Sequence, residues 1–298
     1  MIKKIIKYFI KKNKERNLEK SRLARLIERE EYFKNGCIPW SKGYHQHKEE
    51  FIIKSINNKQ LLDEINSKIS LNNYGYRLDE RVIEYPWIFS KLNKDNLKIL
   101  DAGSTFNFDF IINHSNIKNK DLTISTFAPE SNNFCDKKIS YVYGDLRTLP
   151  FKNELFDIVV SQSTIEHIDM DNSMYGYDLS FNKDSMSKSY EYILAVQEMI
   201  RVLKSKGLLL LTFPFGKFEN HKFFQQFDNE MLDRILNLFD MFGSYEVTFF
   251  QYKNDGWNFA SRKEVINEES FNPHTGIGKK DDFAAHSRAI ACLEFKKN

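Results

Sequence analysis

The sequence predicts an α/β protein built on an open, mainly parallel sheet with helices on both faces. From residue 96 onward, short apolar runs alternate with helical stretches, an order that suits parallel strands joined by crossovers. The first run, Lys98-Ile99-Leu100-Asp101-Ala102-Gly103, ends on an acid and a glycine. A later run, Phe156-Asp157-Ile158-Val159-Val160-Ser161, has the near-continuous apolar character of a strand buried on both faces. Polar strand ends in this order build a nucleotide-type pocket along the carboxyl edge of an open sheet.

Strands are expected at 97–101, 122–126, 140–143, 156–161, 207–213, 245–251 and 288–295. The clearest helix is 187–204, where Ile193, Val196, Met199, Ile200 and Val202-Leu203 recur at helical spacing, and Lys206-Gly207 marks its end. Residues 252–287 read as a long insertion, and loops of that length are commonly functional. Upstream, 13–70 is helical in pattern, broken near Asn35-Gly36 and between Pro39 and Gly43. In the stretch Arg81-Val82-Ile83-Glu84-Tyr85-Pro86-Trp87, Pro86 is expected to bar a smooth helix. The expected organisation is a helical extension over 1–95 and an α/β domain over 96–298.

The chain has 298 residues, 41% of them hydrophobic, which is ample for a sizeable core. Its net charge of +3 is uneven. Residues 1–34 hold twelve Lys/Arg against five Asp/Glu, so the remainder is mildly acidic and offers no nucleic-acid groove. Cys37, Cys135 and Cys292 are odd in number and far apart. They suggest neither a disulfide framework nor a zinc knuckle, and they point to a reducing cytoplasm. No run is long enough to span a bilayer, and the apolar start is interrupted by Lys7 without a cleavage site, so it is not read as a secretion signal. Ile2, Ile5, Ile6, Phe9 and Ile10 share a helical face among lysines. Such a face can rest on an anionic membrane surface through residues 1–12, or pack on the protein itself or a second subunit in a homodimer.

From about 97 to 216 the chain resembles the class I S-adenosylmethionine-dependent methyltransferases. The residues that carry this are Phe156–Ser161 through Glu166-His167-Ile168, then Glu198, Arg201-Val202-Leu203-Lys204 and Gly207-Leu208-Leu209-Leu210-Leu211-Thr212. The resemblance is to the small-molecule and glycan branch, and implies a Rossmann-like seven-stranded sheet whose last strand, here Arg288–Phe295, runs antiparallel. It implies S-adenosyl-L-methionine as cofactor, with Asp101, Gly103 and Ser104 at its methionine end. Asp145 is implied at the adenine amino group, Leu146 on the ring, and Ser161 at the end of the fourth strand. The sequence departs from the family in two places. Thr105 and Asn107 replace two loop glycines, Asn107 being the residue more tolerant of a left-handed turn. Thr126 stands where the family carries a ribose-binding acid; Glu130, four residues on, could substitute or could open the next helix.

At the carboxyl end of the fourth strand the chain offers Gln162, Ser163, Glu166, His167, Asp169, Asp171 and Tyr175. His167 has the intrinsic pKa of a general base, with a pocket or structural role as the alternative; Asp171 is a second candidate. His45 and His47 form an HxH pair without a partner cluster, so no metal is expected. No GxxxxGK[ST] occurs, and the first loop lacks the GxGxxG of a nicotinamide dehydrogenase. Arg81–Trp87, the Asp-Ala-Gly-Ser loop and Thr126–Glu130 are similar to enzymes of bacterial surface-polysaccharide synthesis. The implied reaction is methylation of a sugar hydroxyl in a small-molecule or glycan acceptor, at the inner face of the membrane. The altered loop leaves a second reading, a methyltransferase-like binding or assembly module that does not catalyse.

Overall fold

The computed structural model describes residues 2–71, 73–92, 96–173, 186–253 and 256–298. Four helices lead: α1 (Ile2–Lys34), α2 (Tyr44–Ile56), α3 (Lys59–Asn66) and α4 (Arg81–Lys91). After β1 (Lys98–Ala102) come the short α5 (Asp109–Ile112) and α6 (Ser115–Lys118), then β2 (Asp121–Thr126), β3 (Ser140–Tyr143) and β4 (Phe156–Gln162). α7 (Tyr192–Val202) runs into β5 (Leu203–Pro214), followed by a small hairpin of β6 (Glu219–Asn220) and β7 (Gln225–Gln226). The chain closes with α8 (Asn229–Phe242), β8 (Gly243–Lys253), β9 (Gly256–Ala260), α9 (Arg262–Val265) and β10 (Ala289–Lys297).

The main sheet has the order β3-β2-β1-β4-β5-β10-β8-β9. β3, β2, β1, β4 and β5 are parallel, whereas β10 is antiparallel to both β5 and β8. This is the Rossmann-like arrangement with an antiparallel last strand. Chain order reverses between β1 and β4, which opens a crevice at their carboxyl ends. Side chains alternate between two cores with the period of a strand. Ile99, Ile158, Val160 and Leu210 join the N-terminal helices, while Leu100, Val159, Leu209 and Leu211 face α7 and α8. No described helix is long and apolar enough to cross a membrane. The side chains of residues 2–11, with the apolar face expected there, lie outside the described residues.

Three expectations change. The helix expected over 187–204 ends at Val202, and β5 starts at Leu203 rather than near Gly207. Leu203 is fully buried and pairs with Phe156, and the register then jumps so that Leu208 faces Ile158. Gly207 belongs to this bulge, where a Cβ would lie 2.8 Å from the Lys204 carbonyl oxygen. The presumed insertion contains an eighth strand, β9, anchored by Trp257, whose indole N–H donates to the Leu78 carbonyl.

Pro86, the third, sits inside α4 rather than ending it. A proline there leaves the carbonyl four residues back without its helical donor. That carbonyl belongs to Val82, and the Tyr74 hydroxyl donates to it at 2.7 Å. Removing the hydroxyl strands a buried acceptor, so Tyr74→Phe is expected to cost about 1–2 kcal/mol in urea unfolding. In a Pro86→Ala background, where the helix regains its donor, the loss should shrink; an equal loss in both backgrounds rejects this account.

Candidate active site

The loop after β1 closes on its own acid. The Asp101 carboxylate is fully buried and accepts from the Thr105 N–H, the Thr105 hydroxyl and the Phe106 N–H, the last at 2.7 Å. Burial pushes its carboxyl up to about 7, against the pull of those donors. Gly103 has φ 131°, and a Cβ on it would meet the Thr164 Oγ1 at 2.1 Å. The left-handed loop residue is Ser104, with φ 63°, and not Asn107. Asn107 holds the turn with its side chain, donating to Glu130 and to the Asn132 carbonyl while accepting from the Tyr141 hydroxyl.

Glu130 opens no helix. Its carboxylate accepts from the hydroxyls of Ser104 (2.8 Å) and Thr126 (3.0 Å) and from the Asn107 amide (3.0 Å). The charge missing from the end of β2 is thus returned to that spot from four residues downstream.

A cavity of about 560 Å³ lies over the carboxyl ends of β1 to β4. Gly103, Thr126, Glu130, Asp145, Leu146 and His167 line it. Ser125 also lines it, with a buried hydroxyl that has no hydrogen-bond partner. Asp145 caps the turn that follows β3 and pairs with Arg147 at 2.7 Å. Burial would raise the Asp145 carboxyl, but the Arg147 hydrogen bonds outweigh it and hold the group below its ordinary value.

Four of the expected residues, Asp101, Ser104, Ser161 and Asp171, stand apart from this cavity wall: Asp101 is closed into the loop, and Ser104 lines a neighbouring cavity. The buried Ser161 hydroxyl donates to the Ala102 carbonyl and ties β4 to β1. Asp171 accepts from the Ser173 N–H and is not a lining residue, whereas its neighbours Asp169 and Asn172 are. Tyr175 lies outside the described residues. Nδ1 of His167 is 2.7 Å from the Phe223 carbonyl, so that nitrogen carries the proton of the neutral ring. Burial pulls its pKa down to about 4, with Arg81 and His286 adding to the shift and the Phe223 bond opposing it.

The stretch 74–87, which the sequence offers either as a wall of the pocket or as a packed connector, supplies both a lining residue and a buried charge. Glu84 is fully buried. It accepts from the hydroxyls of Ser163 and Thr212, from the Gln162 amide, and from Arg81 at 3.0 Å. Arg81 also donates to the Gln162 carbonyl and lines the cavity. A charged pair three residues apart in an otherwise apolar helix was the available signal, obscured by Pro86 beside it. Glu166, buried nearby, has one carboxylate oxygen unpartnered and is pushed well above its ordinary pKa by burial. His45 and His47 lie on α2, and among the described residues no cluster of acidic, histidine or cysteine side chains is placed to hold a metal.

Residues 117–211 match the methyltransferase domain family. The match and the sheet order support a class I S-adenosylmethionine-dependent methyltransferase and indicate S-adenosylmethionine as the cofactor. No curated protein matches the sequence. Similar solved structures include the YcgJ protein of Bacillus subtilis, 15% identical over 69% of this chain and 94% of that one, with a TM-score of 0.41. Another is the N-methyltransferase NodS of Bradyrhizobium japonicum in complex with S-adenosyl-L-homocysteine. It is 10% identical over 84% and 98% of the two chains, with a TM-score of 0.41. A third is a SAM-dependent methyltransferase of Thermotoga maritima, described as a possible histamine N-methyltransferase, 12% identical over 83% of this chain and 99% of that one, with a TM-score of 0.41.

Removing the Glu84 charge leaves the Arg81 guanidinium with an uncompensated partner site. Glu84→Gln should therefore cost about 3 kcal/mol, against about 1 kcal/mol for Thr212→Val, which removes one neutral donor. Urea unfolding of both variants tests the ranking, and equal costs reject a pivotal charge at Glu84.

Proposed function

We propose that this protein transfers a methyl group from S-adenosylmethionine to a sugar hydroxyl of a small-molecule or glycan acceptor, in bacterial surface-polysaccharide synthesis. The observation that carries the cofactor part is the Glu130 carboxylate beside Thr126, at the strand end where ribose hydroxyls would need a charged acceptor. The unpartnered Ser125 hydroxyl adds an unused polar group to the same wall. Leu146 would pack against the adenine, Asp145 would accept from its amino group, and Gly103 would let the methionine end pass close to the backbone. Asp101 acts in this reading by fixing the loop that carries Gly103 and Ser104, and Ser161 by fixing the strand beneath it.

The cofactor, when bound, supplies a methyl group on a positively charged sulfur. The chain's part is to align the acceptor oxygen with that methyl, which accounts for much of the rate of such a displacement. His167 accepts the acceptor's proton through Nε2, since Nδ1 donates to the Phe223 carbonyl. A ring at about 4 stays neutral at physiological pH and takes the proton only as the new bond forms. Asp171 serves to shape the loop. α2 and α4 wall the acceptor side through Lys48, Glu49, Arg81 and Tyr85, and residues 1–12 would contact an anionic membrane surface.

Calorimetry with S-adenosylhomocysteine tests the cofactor assignment. Binding is expected in the wild type, with about tenfold weakening in Glu130→Gln; no binding at millimolar ligand removes the proposal. The base must be deprotonated to act, so the rate is lost as pH falls through the folded-state pKa. We expect kcat/KM to hold level from neutral pH down to near 5 and to drop towards 4. A drop centred on 6.5, or no change in His167→Asn, would assign the proton to another group.

A further inference from the structure

A second cavity, of about 330 Å³, adjoins the first, and Arg81 and Thr105 line both. Its walls come from α2, α4 and the segment after β1. Lys48 and Glu49 enter from α2, Arg81 and Tyr85 from α4, Phe108 from the loop and Phe110 from α5. Phe108 stacks on Phe110, with centroids 5.8 Å apart and planes 29° from parallel. Tyr85 meets the Phe110 edge at 6.4 Å while its hydroxyl donates to the Thr105 carbonyl. One end of the cavity is therefore a fixed aromatic shelf, and Phe108 is 43% exposed.

The other end is polar but carries little surplus charge. Lys48 is paired with the buried Asp79 at 2.6 Å. Arg81 is paired with Glu84 at 3.0 Å, and Glu49 with Arg25 at 3.3 Å. An anionic ligand would find its cations already matched. An uncharged ligand would find a donor at Lys48, which offers three N–H groups, beside an acceptor at Glu49. An apolar face, a rim of hydroxyls and no net charge describe a pyranose ring.

We propose that this second cavity is the acceptor site and that it takes an uncharged pyranose, its C–H face on Phe108 and its hydroxyls on Lys48 and Glu49. The assignment rests on the methyl-transfer reading, and it gives Arg81 and Thr105 the boundary past which the reacting hydroxyl would extend into the first cavity, where His167 lies. Sugar-sized ligands fit a pocket of this volume, with aromatic walls and few polar groups.

Saturation-transfer NMR with methyl α-D-glucopyranoside, methyl α-D-galactopyranoside and N-acetylglucosamine tests it, with glucuronate and glucose 1-phosphate as anionic probes. Each is run on the protein with and without S-adenosylhomocysteine. At least one neutral sugar should give a signal that falls about fivefold in Phe108→Ala. Glu49→Gln, a change on the surface of a helix, should also weaken it, while S-adenosylhomocysteine affinity stays within about twofold in both variants. Absence of signal from every neutral sugar, a signal indifferent to both substitutions, or stronger binding of the anionic probes overturns the proposal. Sugar binding without S-adenosylhomocysteine binding would instead sink the cofactor reading, and with it the acceptor role, and leave the cavity as a sugar site alone.

Discussion

The buried Glu84 carboxylate is the interaction on which the site depends. It belongs to a helix outside the sheet, yet it satisfies hydroxyls and an amide at the ends of β4 and β5. A carboxylate without water must have its oxygens bonded, and these donors together with Arg81 provide that. In return, α4 is locked in register against the strand ends, and Arg81 is held at the meeting point of the two cavities. The carboxyl edge of the sheet is thus set by a side-chain network as much as by backbone pairing. α4 can take this role only because its proline break is healed by Tyr74.

The first loop shows the same substitution of side chains for backbone permissiveness. A loop rich in glycine would reach its shape through left-handed conformations. Here Asp101 gathers the loop donors from one end and Glu130 gathers Ser104, Asn107 and Thr126 from the other. Ser104 is the residue that accepts the left-handed backbone. The two apparent losses, of glycines and of the strand-two acid, are therefore linked, because Glu130 answers both.

How much could be read in advance follows from locality. Strands such as Lys98–Ala102 and Phe156–Gln162 were visible because buried parallel strands are continuous apolar runs. The polar strand ends at Gly103 and Asp145 were visible because strand order places them on one edge. Glu130 was named as a substitute, but only the fold shows its carboxylate against Thr126. β9 escaped because its five residues resemble loop, although Asp255-Gly256 is a turn signal. Helix α7 was overrun because Leu203 continues its apolar pattern while pairing with Phe156 of β4 instead. The Glu84 network was invisible for the same reason: its partners lie about eighty and more than a hundred residues away in sequence.

The ionisation of Asp101 makes the loop a store for one proton. With its carboxyl raised to about 7, the folded chain retains a proton that the unfolded chain releases near the ordinary value of an aspartate. Between those two points the folded form binds more protons, so this group's contribution to stability declines as pH rises. A cation settling beside the loop would favour the ionised form and expel that proton into solvent. If the cofactor's methionine end sits there as proposed, its binding would register as acid release near neutrality, so the heat of binding would vary with the ionisation enthalpy of the buffer.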